Sequence, residues 1–336
     1  LGIASHNAPL AYLGMAGALL HILNHSFFKP LLFLGSGVII HTTGTREMNL
    51  MGGLAKGMPR AALLFLIGSV AICGIPPLNG FVSEFLLYLG FFTQLQASSL
   101  VWIVLLAPLL ALVGGLAVVA FTKLYGSVFL GQARSHEAAH PHEAGVTMLL
   151  PMGMFALLCL VVGLAPRLAL SLVSPALATF MPEVALLVRP SAYSTVLGRL
   201  SLMGVLLLAT AIAVTLFWRW RLRHAPVTSA PTWGCGYQRA TARMGYTATA
   251  FSELAVSVFN GVIRQRLERP AVTGIFPPTA RLNDLPTETV LERVIAPLFT
   301  IAGLSFAFLR RLQHGRMHVY MVYIFATLFI LMLWAH

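Results

Sequence analysis

Charge is what this chain lacks most. Ten Asp and Glu and 22 Lys and Arg are spread over 336 residues, so charged side chains make up 10% of the whole. Soluble domains carry about 25%, which excludes an ordinary water-exposed globule. The excess of +12 with histidines neutral does not point to nucleic acid. Most Lys and Arg fall between apolar runs or after residue 218, where cytoplasmic loops meet anionic headgroups. Cysteine is scarce too. Cys73, Cys159 and Cys235 form no CxxC pair, so the chain alone builds no iron–sulfur or zinc centre, and a disulfide framework is not expected. Walker, GxGxxG and HExxH motifs are absent, and with them nucleotide or redox chemistry of the chain's own. Leu1 in place of Met reads as the start of an N-terminally truncated fragment, and a signal peptide is not expected among these residues.

What is present is apolar length. Hydrophobic residues make up 58% of the chain and the mean hydropathy is +0.83, the composition of a polytopic membrane protein. Runs of about 20 apolar residues mark spans, and they fall at roughly 9–41, 60–92, 100–122, 147–165, 199–218 and 317–334. In the first, Pro30 should kink the helix directly after Lys29. The second is interrupted by GIPPLNG, where Gly74, Pro76, Pro77 and Gly80 predict a discontinuous helix; unwound backbone at that depth survives only where protein or a polar cavity satisfies it. Arg46, Lys56 and Arg60, then Lys123 and Arg134, then the basic stretch from Arg219 follow the odd-numbered spans, which places those connections in the cytoplasm. Residues 295–309 could cross or lie in the interface. Crossing would put Arg310, Arg311 and Arg316 outside, so the sequence predicts an all-α fold of about six transmembrane helices, one of them discontinuous, plus an interfacial amphipathic helix.

Chemistry concentrates in HILNHSFFK. His21, His25 and Lys29 stand at i, i+4 and i+8, one helix face about 12 Å long. A charge near mid-bilayer costs at least ~2.5–3.5 kcal/mol, so an intramembrane lysine below two histidines reads as a proton or ion route. The alternative is a snorkelling lysine with two hydrogen-bonded histidines, but LLFLGSGVII continues the apolar run and leaves Lys29 no short way out. Glu84, soon after the break, can exchange protons or pair locally; desolvation and a nearby Lys29 would push its pKa in opposite directions. Lys123 reads as the exit group of a hydrated path or as an interface anchor beside Tyr125. His41 is a weaker candidate. SHEAAHPHE, residues 135–143, has no fixed ligand spacing and reads as a solvated linker rather than a metal site. A lone Cys235 in TWGCGYQR could meet a soluble partner.

HILNHSFFKPLLFLGSGVIIHTTGTREMNLMGGLAKGMP followed by GIPPLNGFVSEFL resembles the antiporter-like, proton-conducting membrane subunits of respiratory complex I, Mrp-type antiporters and membrane-bound hydrogenases. TWGCGYQRATARMGYTATAFSE, KLYGSVFLGQARS and RRLQHGRMHVYMVYIF resemble the branch of formate hydrogenlyase and hydrogenase-4 (component B). Full members are about twice as long, as two inverted repeats. The resemblance implies that residues 1–166 are the second repeat, 167–218 an additional transmembrane helix, 219–316 a cytoplasmic polar segment with the interfacial helix, and 317–336 a C-terminal span. It implies a proton pathway through Lys29, His25, His21, Glu84 and Lys123, with Pro30 departing from the family's small residue. It also implies proton translocation in a redox-driven complex of the bacterial inner membrane, of NADH-quinone oxidoreductase type. The partners would be other membrane subunits and a soluble nickel–iron hydrogenase and iron–sulfur module, with no cofactor and no metal in this chain. A Mrp-type cation/proton antiporter without redox coupling, a non-conducting scaffold and a complex I subunit proper remain alternatives.

Overall fold

A computed structural model describes residues 2–93, 105–188, 190–226, 241–259, 265–268, 283–286, 290–307, 315 and 317–334. Its contacts divide the chain into two units, Leu1–Ser252 and Glu253–His336.

The first unit is built around α1 (Ala8–Thr43), a single helix of 36 residues. Asn7 caps it by accepting the Leu10 N–H at 3.0 Å. Gly44 ends it at φ 66°, its N–H bonded to Ile40 O, a left-handed turn that costs a residue without Cβ nothing. The helix is continuous through Pro30. α2 (Pro59–Ile72) and α3 (Asn79–Thr93) follow, separated by the expected break. At 14 and 15 residues, each is about 21–22 Å long and neither spans alone. Then come α4 (Leu106–Phe129), the single turn α5 (His136–Ala139), α6 (Val146–Leu164), α7 (Pro166–Phe180), α8 (Pro182–Leu187) and α9 (Ser194–Leu222). α10 (Ala248–Val258) closes the unit and runs across its boundary.

α1 buries Leu13, Leu20, Asn24, Phe28, Leu31 and Val38, a stripe at helical spacing. Between apolar helices in a lipid environment the gain is van der Waals contact rather than hydrophobic transfer, so close approach matters. Gly35 admits the Phe65 ring of α2, and Gly68 of α2 lies under Leu31 and Leu32. The loop of residues 135–143 also has a structural task. Glu143 accepts the N–H groups of Arg60 and Ala61 at 2.8 and 3.2 Å, capping α2 from 83 positions away. Glu143→Ala should therefore lower stability by about 1 kcal/mol, the worth of an N-cap, read as a lower melting temperature in detergent.

In the second unit, strands β1 (Gln265–Glu268) and β2 (Asn283–Pro286) pair antiparallel, with Gln265 opposite Pro286. This two-stranded ribbon, four residues to a strand, is a small addition to described residues that are otherwise helix and loop. A π-turn (Leu291–Ile295) leads into α11 (Ala296–Ser305), and α12 (Met317–Trp334) follows. α11 is about 15 Å long and short of a crossing; 308, 309, Arg310, Arg311 and Arg316 lie outside the described residues.

Among the described residues α1, α4, α6, α9 and α12 are long and apolar enough to cross a membrane. The bounds differ from the sequence reading at α4, at α9, which runs Ser194–Leu222 against 199–218, and after residue 166. α4 continues to Phe129, so Lys123 lies inside the helix rather than at its end. The stretch after residue 166, read as a connection, is mostly helix: α7 buries Ala169, Leu170, Val173 and Leu177 on one side.

Candidate functional site at the broken helix

Between α2 and α3 the backbone leaves helical geometry at Gly74, which takes φ 63°. Gly74 has a second reason to lack a side chain. Its Cβ would stand 2.6 Å from a carboxylate oxygen of Glu84, so the acid seats its head directly on the break. Across from it is Gly114 of α4, where a Cβ would lie 4.0 Å from the same oxygen. The Pro76–Pro77 peptide is cis. α6 bears on the break from one side, since a Cβ on Gly163 would collide with the Pro77 carbonyl oxygen; within the break, a Cβ on Gly80 would collide with the carbonyl oxygen of Ala71.

The first turn of α3 is tied to α1 by a buried polar cluster. Asn24 and Asn79 are fully buried. Asn24 Nδ2 donates to Asn79 O at 2.7 Å and to Ser83 Oγ at 3.3 Å. Asn79 Nδ2 donates back to Asn24 O at 3.4 Å, while Asn79 Oδ1 accepts the Gly80 N–H. Ser83 donates to Gly80 O at 2.8 Å, and His21 Nδ1 lies 3.2 Å from Ser83 Oγ. Broken segments at membrane depth must have their freed polar groups satisfied by protein, and here Asn24 does it. The sequence reading missed Asn24, Asn79 and Ser83. The available signal was an asparagine in the buried register of α1, three residues after His21.

His21, His25 and Lys29 do share one face of α1. The two imidazole rings have centroids 6.5 Å apart, the His25 ring meets Phe28 edge-on at 5.4 Å, and Lys29 Nζ lies 5.1 Å over the Phe33 ring. That face is exposed in this chain, whereas the neighbouring Asn24 and Phe28 are buried. Among the described residues Lys29 makes no ion pair with Glu84; the connection between α1 and α3 runs through His21 and Ser83 instead. Lys123 donates to Ser252 of α10 at 2.5 Å. It follows Gly114 on α4 by nine residues, which places it about 13–14 Å further along and half a turn round. His41 meets the ring of His142 in the loop, and Cys235 lies outside the described residues.

The arrangement defines a class: a polytopic helical membrane protein with a discontinuous helix, a carboxylate at the discontinuity, and a histidine–lysine face on the helix beside it. Residues 3–114, which hold all of these elements, match the family "NADH:quinone oxidoreductase/Mrp antiporter, TM". The chain as a whole is similar to hydrogenase-4 component B of Escherichia coli K12, at 35% identity over 357 aligned positions covering 99% of this chain and 51% of the relative. Formate hydrogenlyase subunit 3 of the same organism is 40% identical over 179 positions, 52% of this chain and 29% of the relative. The fold is similar to a chain in the solved structure of the membrane-bound sulfane sulfur reductase, an archaeal respiratory membrane complex, with TM-score 0.51 and 18% identity over 95% of this chain and 48% of that one. The chain spans about half of the length of the first of these curated relatives and 29% of the second.

Proposed function

We propose that this chain is part of a proton-translocating membrane subunit of a redox-driven complex of the membrane-bound nickel–iron hydrogenase or formate hydrogenlyase type. The observation that carries it is the joint between α1 and the break: Glu84 seated over Gly74, and the start of the same α3 hydrogen-bonded to α1 through Asn79 to the buried Asn24 and through Ser83 to His21 of the face that includes Lys29. The similarity to hydrogenase-4 component B over nearly the whole chain supports the redox branch of the family. In this reading residues 1–166 are part of the second helical repeat, 167–218 add a transmembrane helix, 219–316 form a cytoplasmic polar segment with an interfacial helix, and 317–336 are the last span. The membrane is the bacterial cytoplasmic membrane, and the chain itself holds no cofactor.

Protons pass among Lys29, His25, His21 and Glu84. A change of charge in a soluble partner moves a proton onto or off Lys29, and Glu84 hands it across the break. One charge moved against 100 mV costs about 2.3 kcal/mol, so pKa changes of about one or two units suffice to drive or stop the step. Lys123, half a turn away and bonded to Ser252, anchors α10 rather than relaying. Extraction of the full-length protein from native membranes in mild detergent tests the assignment. Co-purification of a nickel–iron hydrogenase large subunit with iron–sulfur partners is expected. Small hydrophobic antiporter subunits in place of metalloproteins would overturn it and leave a Mrp-type antiporter.

A further inference from the structure

The hydrogen bonds around Ser83 determine which nitrogen of His21 carries its proton. Ser83 Oγ has one proton to give and two lone pairs to offer, and it has three neighbours at hydrogen-bonding distance. Gly80 O, at 2.8 Å, can only accept, so two oxygens at that separation need the hydroxyl proton between them. Asn24 Nδ2, at 3.3 Å, can only donate; its identity as the nitrogen is set by its 2.7 Å approach to Asn79 O, another pure acceptor. One lone pair of Ser83 is then left for His21 Nδ1 at 3.2 Å. His21 must therefore be the donor.

We propose that Ser83, held in place by Asn24, is a positioning residue that locks neutral His21 in its Nδ1–H tautomer. In water the side-chain imidazole favours the opposite form, with the proton on Nε2. The lock leaves Nε2 with its lone pair free on the exposed side of α1, the side that also carries His25 and Lys29. His21 can then take up and release a proton only at Nε2, with Ser83 accepting from Nδ1 in both charge states. The proton never leaves the histidine face through Ser83, because the serine's own hydroxyl is committed to Gly80 O. Ser83 stands in the first turns of α3, four residues after Asn79, so a shift of that half-helix withdraws the acceptor and frees Nδ1. The tautomer follows from the hydrogen bonds alone; its use in proton transfer rests on the function proposed above.

The full-length protein, labelled with 15N in its histidine rings and reconstituted in its complex, reads the tautomer directly by solid-state NMR at alkaline pH. The His21 signals are identified by their loss in His21→Gln. A protonated Nδ1 with a bare Nε2 is expected in the unaltered protein, and that observation needs no other variant to fold. Ser83→Ala should return His21 to the Nε2–H form, while Ser83→Thr should keep the lock. An Nε2–H signal in the unaltered protein, or no change in Ser83→Ala, overturns the proposal. Proton uptake by vesicles separates the two levels. It should fall about tenfold in Ser83→Ala, the worth of one hydrogen bond to a charged group, and recover in Ser83→Thr. A locked tautomer with undiminished uptake in Ser83→Ala would remove His21 from the path while the lock stands.

Discussion

Glu84→Gln abolishes proton uptake into vesicles carrying the intact complex, and the soluble hydrogenase reaction, assayed with an artificial electron donor, continues. Glutamine keeps the shape of the side chain where it rests on Gly74, at 2.6 Å from the position of a Cβ, and opposite Gly114. The break is therefore left in place, and what disappears is the ability to carry a proton. Removing a positioned proton carrier costs about 10²- to 10⁴-fold, so the translocation signal should vanish within error. Lys29→Ala gives the same outcome for a different reason. It removes the amine that the histidine face presents and its contact with Phe33, and with it the charge whose appearance and disappearance drives the transfer. Uptake undiminished in Glu84→Gln would take Glu84 out of the path, and uptake undiminished in both would reduce the chain to a scaffold whose polar residues are static.

The parts of this molecule that were legible in its sequence are those governed by strong local rules. Apolar length marked α6 and α12 to within a residue or two, and two prolines with two glycines marked the break between Ile72 and Asn79. The i, i+4, i+8 spacing correctly put His21, His25 and Lys29 on one face. Pairings across elements were not legible, because nothing in the sequence says which side of α3 meets α1. Glu84 was expected to feel Lys29; the structure turns it toward Gly74 and Gly114, and gives the α1-facing side of α3 to Asn79 and Ser83. α1 stays helical through Pro30, with Phe28, Leu31 and Leu32 buried beside it. α7 and α10, at 15 and 11 residues, are too short to stand out by apolar length, though the Ala169, Val173, Leu177 spacing of α7 is a readable helical stripe.

Gly163→Ala should be the most damaging single methyl group that can be added to α6. The new Cβ would collide with the Pro77 carbonyl oxygen and come within 2.7–2.8 Å of Leu78 backbone carbons. Backbone atoms cannot rotate away as a side chain can, so α6 must separate from the break or the break must rearrange. Overpacking of this kind costs about 1–3 kcal/mol and occasionally more, and the upper end is expected because both partners are main chain. α6 supplies its own control. Gly153, on the same helix, has nothing within 4 Å of its Cβ position, and Gly153→Ala should be neutral or slightly stabilising, since alanine is the better helix former by about 1 kcal/mol. Melting temperatures of the two variants in detergent, measured side by side, should diverge by several degrees. The comparison isolates the break, because both substitutions add the same atom to the same helix. Equal melting temperatures would mean that α6 does not bear on Pro77, and that the discontinuity is supported by Asn24 and Asn79 alone.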